Sequence, residues 1–391
     1  AEKCRLDSYS ENLRVVLRTN IDLTGTGFSG IPTFSGTFEG NGYTIKGLSI
    51  TKEGSNQGLF RYLTDTAVVR DLTVIGTVQP GGSCSRVGGI AGCNAGQILN
   101  CSVTGSVSGS EYIGGIAGIN KISGVIDNCK VNGRVFGSHF VGGIVGENKG
   151  VVRESSNDAK INDTSAQNTV DLSEITLDTI TGSEAVNAVT DIGGISGISS
   201  GVIRNCVNNA DIGYQHMGYN IGGIAGTQSG SLIDCENYGY VRGRKEVGGI
   251  VGQLNGSMSN GHNSGDVIAT GNRVGGVVGM NNNGSPGIVS NTGSVTGHSN
   301  VGGVVGAMMG GSMRTAYNTG TVTGSMEGEC AGGIAGYNAA EIVSCHNVGA
   351  VQIGMGMGGI VGVNEGTVTG SYYLEGTASG GIMGQDVPGS A

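Results

Sequence analysis

The hydrophobic pattern of this chain is organised by a six-residue phrase, apolar-Gly-Gly-apolar-small-Gly, first met as Val87-Gly88-Gly89-Ile90-Ala91-Gly92. Its glycine pair returns at Gly114, Gly142, Gly193, Gly222, Gly248, Gly275, Gly302, Gly332 and Gly358, in steps of 26, 28, 51, 29, 26, 27, 27, 30 and 26 residues. Self-similarity at a fixed period of this size marks a solenoid, in which each repeat is one turn and neighbours bury a shared core. Between phrases the pattern changes to alternation. Leu99, Cys101, Val103 and Val107 share one parity, as do Val125, Cys129, Val131 and Val135, and Asn100 and Asn128 take the other. On strands, that parity sends the first two sets inward and the asparagines outward. Within the phrase the two apolar residues are three apart, so strict alternation cannot bury both; a bend at Gly-Gly, which glycine permits at no Cβ cost, is expected.

Three short strands per repeat, parted by Gly and Asn, predict an all-β fold: a single-stranded right-handed parallel β-helix of about 12–14 coils of ~27 residues. Helical repeats fit poorly, because each Gly would cost a helix about 1 kcal/mol relative to Ala. Stacking the coils generates two inner rows. One reads Cys101, Cys129, Ser155, Cys206, Cys235, Gly261, Val289, Ala316, Cys345, with mostly small residues throughout. Two residues on, the other reads Val103, Val131, then Asn157, Asn208, Asn237, Asn263, Asn291, Asn318 and Asn347. Consecutive inward asparagines predict an asparagine ladder, each amide bonding the next coil or its own turn.

Composition narrows the classes. Gly numbers 79 of 391 residues with only four Pro, which excludes collagen. A hydrophobic content of 37% is too high for a disordered Gly-rich linker. The net charge of −9 leaves no basic footprint, so no nucleic-acid partner is expected. No apolar run reaches the ~20 residues of a membrane helix, so no membrane insertion is expected. The nine Cys contain no Cys-x-x-Cys, which argues against a zinc knuckle. Stacked parallel Cβ vectors in the inner row disfavour bridging, so buried free thiols are expected there; Cys4 and Cys84 are the candidates for an N-terminal staple. No cofactor, metal or catalytic set is read from the chain.

The first 80 residues are less regular and carry Phe34-Ser35-Gly36-Thr37-Phe38-Glu39-Gly40-Asn41-Gly42, then Gly58-Leu59-Phe60. Followed by repeated Gly-Gly-Ile-x-Gly, this resembles the GLUG-motif proteins over nearly the whole chain, from about Ile21 to Leu374. The resemblance implies a right-handed parallel β-helix and an extracellular or cell-surface location in a bacterial, adhesin-like protein. The motif also occurs in non-catalytic regions of IgA-specific metalloendopeptidases; the zinc motif His-Glu-x-x-His is absent here. The expected division is an N-terminal capping region with irregular first coils at 1–80, the repeat body at 81–384 with an inserted loop at about 163–190, and a tail at 385–391.

Two surfaces are candidates for function. Just before the Gly-Gly phrases lies a variable row holding Tyr112, His139, Phe140, Tyr214, His216, Tyr219, Arg244, Lys245, Arg273 and His298. Stacking sets these tips along one edge, and aromatic and Arg side chains dominate contact energies. A host or environmental glycan or protein is the expected partner, in a non-enzymatic binding or spacer module. The alternative is a carbohydrate-active β-helix enzyme, a polysaccharide lyase or glycosidase, using the acidic insert with Asp163, Asp171, Glu174 and Asp178.

Overall fold

The computed structural model describes residues 3, 7–164, 189–214, 217–328, 330–352 and 356–382. The chain is an all-β parallel solenoid of about 12 turns, ~28 residues apart, with essentially no helix. It divides into two compact units, 1–162 with 193–210 and 163–192 with 211–391.

A turn of the first unit shows how the repeat becomes structure. Glu111–Gly114 leads into Ala117–Asn120, then Val125–Asp127 and Lys130–Phe136. Each strand pairs in parallel with its equivalent one turn on: Glu111 with His139, Ala117 with Val145, Val125 with Val151, Lys130 with Ser156. In the second unit, Lys245–Gly248, Val251–Leu254, Ser257–Asn263 and Val267–Ala269 make the equivalent turn and stack on the next in the same way. The irregular start already obeys this logic, with Arg14 in register with Thr37 and Thr37 with Val68. Phe34, Phe38 and Phe60 meet there with ring centroids 5.3–6.3 Å apart.

Both apolar residues of the phrase are buried, as Val87 and Ile90 illustrate. The bend that permits this differs from expectation. None of the phrase glycines has a positive φ; the left-handed residue is the one two before the glycine pair, at Arg86, Tyr112, Phe140, Asp191, Asn220, Glu246, Arg273 and Asn300. The glycines serve by lacking a Cβ. One added to Gly249 would overlap the Asn263 side-chain amide and the Gly276 carbonyl oxygen, and one on Gly118 would sit 2.6 Å from the Cα of Arg86.

Parity also shifts once. Ile98 and Ile126 are fully buried, whereas Leu99 and Val125 are only half-buried. Asn100 and Asn128, both exposed and left-handed at φ 53° and 49°, turn the chain between two strands and reset the alternation before Cys101 and Cys129.

The asparagine ladder is present. Asn157 Nδ2 donates to Asn208 Oδ1 at 2.8 Å in the first unit. In the second, Asn237, Asn263, Asn291, Asn318 and Asn347 follow one another, every amide-to-amide bond 2.8 Å. Each Nδ2 also donates to the carbonyl two residues on, as Asn263 does to Gly265 at 2.7 Å. All of these amides are fully buried, and a net contribution of about 1 kcal/mol per bond is the usual scale. A second ladder runs along the adjoining face: Asn94 to Asn120 at 2.8 Å, Asn120 to Asn148 at 2.9 Å, Asn148 to Ser199 at 3.2 Å. Asn338 donates to Asn364 at 2.7 Å in the equivalent row of the second unit.

Two outcomes follow. Gly249→Ala should destabilise the protein by roughly 1–3 kcal/mol or more in denaturant unfolding, the scale of core overpacking. Gly42→Ala, at φ +77° with nothing within 4 Å, should cost only about 1–2 kcal/mol of backbone strain; equal effects would refute the steric account. Near the first turn, Glu39 sits between Arg14 at 2.7 Å and Arg70 at 2.6 Å. Hydrogen bonds from Arg14, then Arg70, lower its carboxyl from 4.5 to about 2. A lowered folded-state value means stabilisation that is complete above the ordinary value and lost as pH falls towards 2. Between pH 5 and 2 the thermal midpoint of the native protein should therefore fall more steeply than that of Glu39→Gln, and parallel curves would count against the pairing.

Candidate functional site

The left-handed corner two residues before each glycine pair is where the variable edge is built. Phe140 and its equivalents sit one residue ahead of a fully buried apolar residue, such as Val141, so the corner is anchored from inside. The third glycine of the following phrase packs against its backbone from the next turn, as Gly279 does, where a Cβ would lie 2.6 Å from Val247 N. Bulky residues are rare at positive φ, and here the corner geometry is imposed by these contacts.

Along this edge the second unit contains a cleft of about 470 Å³ lined by Thr190, Asp191, Tyr219, Asn220, Arg244, Lys245, Glu246, Thr270, Gly271, Asn272 and His298. Four of the sequence candidates, Tyr219, Arg244, Lys245 and His298, are brought together in it. Asp191 and Asn220 are functional candidates that the sequence reading did not single out. Asp191 accepts hydrogen bonds from Thr227 Oγ1 at 2.5 Å and Asn220 Nδ2 at 3.2 Å. The other amide atom of Asn220, Oδ1, is shielded from solvent and meets no donor among the described residues. Glu246 is engaged by Arg273 at 2.6 Å, and Arg273 also lies 3.2 Å from the Met280 sulfur. Arg273 is thus committed to the frame and does not line the cleft. Arg244 and Lys245 form no ion pair with any described residue.

The remaining candidates lie elsewhere. Tyr112 and Phe140 stack on each other across one turn of the first unit, centroids 4.7 Å apart and 15° between planes, with His139 6.3 Å from Phe140. Tyr214 is half-buried and outside the cleft lining. His216, and Asp171, Glu174 and Asp178 of the acidic insert, lie outside the described residues. Asp163 is half-buried, and its Oδ1 has no hydrogen-bond partner among the described residues. A larger hollow, about 670 Å³, occurs at the first turns of the first unit among Glu11, Asn12, Leu13, Gly36 and Thr66; its Arg14 is the one already held by Glu39.

Several carboxylates outside the cleft are paired with the adjacent turn: Asp127 with Arg153 at 2.8 Å, Asp158 with Lys130 at 2.7 Å, Glu341 with Arg314 at 2.7 Å. Among the described residues no group of three or more His, Cys, Asp or Glu could hold a metal ion, and no helix is long and apolar enough to cross a membrane. The eight described cysteines are buried thiols that form no disulfide with one another. Cys84 donates to the Gly81 carbonyl at 2.8 Å; Cys4, its suggested partner, lies outside the described residues. Burial pushes the Cys345 thiol up to about 11, and burial together with neighbouring Cys101 pushes Cys129 well above its ordinary value. A nucleophilic thiol needs the opposite shift.

Comparison with known proteins adds three findings. The model of the family described as the GLUG motif matches residues 83–108. Over 94 residues, 24% of this chain, the sequence is 34% identical to Halomucin of Haloquadratum walsbyi (strain DSM 16790 / HBSQ001), and the match spans 1% of that protein's length. No solved structure matches.

The thiol geometry yields a direct expectation. In the native protein at pH 8, Cys101, Cys129, Cys206, Cys235 and Cys345 should resist a soluble disulfide reagent and react at once in guanidinium. Rapid native labelling of this row, mapped by mass spectrometry, would contradict the burial.

Proposed function

We propose that this chain, a GLUG-repeat protein, is a non-enzymatic binding module of an extracellular surface protein, with an adhesin-like role. The observation that carries the reading is the cleft. Tyr219, Arg244 with Lys245, and His298 come from three turns of the second unit, and the solenoid delivers them to one concavity. Its volume falls in the range of small-ligand sites, and its lining, apart from Gly271, is polar or charged. Arg and Tyr are also the residue types that contribute most per contact at binding surfaces.

The surface location is supported by the repeat motif and by the similarity to Halomucin, a surface protein. Within the cleft, the state of the two carboxylates supports binding rather than hydrolysis. The hydrolytic mechanism of a glycosidase needs two acids flanking a bond; Glu246 is tied to Arg273, and Asp191 accepts from Thr227 and Asn220.

Screening the purified chain against immobilised glycans and extracellular proteins tests this. Tyr219→Ala and His298→Ala should each weaken the recovered interaction about tenfold, the scale of one anchor side chain, with the thermal midpoint held. Binding indifferent to both substitutions would move the site off this cleft, and glycan turnover without retention would favour the enzyme.

A further inference from the structure

The tripeptide Asn-x-Ser/Thr, with x other than Pro, is the acceptor sequence for N-linked oligosaccharide in exported proteins. The chain carries it four times: Asn100-Cys101-Ser102, Asn162-Asp163-Thr164, Asn255-Gly256-Ser257 and Asn283-Gly284-Ser285. A chain so rich in Asn produces such triplets by chance, and the sequence alone selects none of them. The structure does. Asn162 is fully buried, its Oδ1 and Nδ2 both bonded to the Gly137 backbone, at 3.1 and 2.7 Å; a sugar there is incompatible with the fold. Asn100 sits in a left-handed corner and donates to Asp71 at 3.1 Å, beside buried Cys101, and Ser102 donates to Thr73 at 3.0 Å. Gly284 is buried, where a Cβ would stand 2.6 Å from Asn281 Oδ1, and Pro286 follows its serine.

Asn255-Gly256-Ser257 differs on each of these points. It forms the corner between Val251–Leu254 and Ser257–Asn263, pinned from inside by buried Leu254 and Met258. The N–H groups of Asn255 and Gly256 both donate to the Gln228 carbonyl, at 2.8 and 3.2 Å, so the backbone of the corner is held. Asn255 and Ser257 are exposed and Gly256 is partly so. The corners on the adjoining turns, Ser229-Gly230 and Asn282-Asn283-Gly284, carry no charge and no large apolar group. Asn255 Oδ1 accepts from Asn282 Nδ2 at 2.9 Å, while its own Nδ2 donates to no described residue. We propose that Asn255 carries an N-linked glycan, transferred from an oligosaccharide on a polyprenyl pyrophosphate. The bond from Nδ2 to the anomeric carbon forms as the bond from that carbon to the pyrophosphate oxygen breaks. One amide proton is given up, and the lipid pyrophosphate is the leaving group. Oδ1 keeps both its lone pairs, so the bond from Asn282 survives the modification. This rests on the extracellular location read above and adds a covalent site to it, apart from the cleft.

Peptide mapping by mass spectrometry tests this on protein recovered, as surface and cytoplasmic fractions, from the cells that produce it. In the surface fraction the peptide holding Asn255 should carry the added mass of an oligosaccharide, and the peptides holding Asn100 and Asn162 should not. Asn255→Gln and Ser257→Ala should each lose the modification, and Ser257→Thr should keep it. Ser257→Ala is the decisive variant, because it leaves the acceptor amide in place and removes only the hydroxyl that the transferase reads. Its side chain makes one exposed bond, to Ser231 at 3.1 Å, so circular dichroism should show the fold intact in all three variants. Unmodified Asn255 in surface material overturns the proposal and leaves the surface location standing. Unmodified protein confined to the cytoplasm overturns both. A sugar on Asn162, or one that persists in Ser257→Ala, overturns the selection of Asn255 by its accessible triplet.

Discussion

The structure depends on close backbone approach at three glycines in each turn that carries the phrase, and each glycine faces a different neighbour. In the phrase beginning at Val247, Gly248 lies against the next turn, where a Cβ would stand 2.6 Å from Gly279 N. Gly249 leaves room for the Asn263 amide inside the solenoid. Gly252 lies against the left-handed corner at Asn220 of the preceding turn. Separations this short allow no side chain, so the phrase persists while everything around it varies. Glycine's freedom at positive φ is not what the phrase uses.

The asparagine ladder shows how one site serves two purposes. Val103 and Val131 occupy the ladder position in early turns, and there a Cβ on Gly89 or Gly115 would collide with valine methyls instead of an amide. Filling space is therefore the requirement common to all turns. The amide adds a hydrogen bond to the carbonyl two residues on, which turns the chain. Ser102–Ser108 runs straight through Val103, whereas Ser257–Asn263 stops at the asparagine and restarts as Val267–Ala269. Turns such as Ser156–Ile161, with Asn157 inside a continuous strand, lie between the two forms. In a dry interior, linked amides polarise one another, so the ladder is best regarded as one cooperative element.

Much of this was legible in the sequence, because a solenoid converts period into contact. The recurrence of Gly-Gly, the small inner row from Cys101 to Cys345 and the ladder from Asn157 to Asn347 all required only that like positions stack. What stayed hidden depended on backbone sign and on partners far apart in sequence. Tyr112, Phe140 and Arg273 are not residues that advertise a left-handed conformation, so the corner, and the parity slip at Asn100 that buries Ile98 instead of Leu99, could not be read. The second ladder was present as an Asn two residues after the last glycine of several phrases, but Asn94-Ala95-Gly96 has the composition of a turn. In the candidate cleft, Tyr219, Arg244, Lys245 and His298 were visible as an edge row. That Glu246 removes Arg273 from it is a contact between residues 27 apart, and the orphan acceptor on Asn220 depends on its exact neighbours.

The left-handed corner also separates what the chain must conserve from what it is free to vary. Its backbone is fixed by glycines and by the buried residue that follows, and neither constrains the outward side chain. The solenoid has in fact placed guanidinium, phenol, benzyl, carboxylate and carboxamide groups there, at Arg86, Tyr112, Phe140, Asp191 and Asn220, on the same φ. Such an edge behaves as a display rack: its chemistry can be rewritten one turn at a time, with recognition changing and the core left undisturbed.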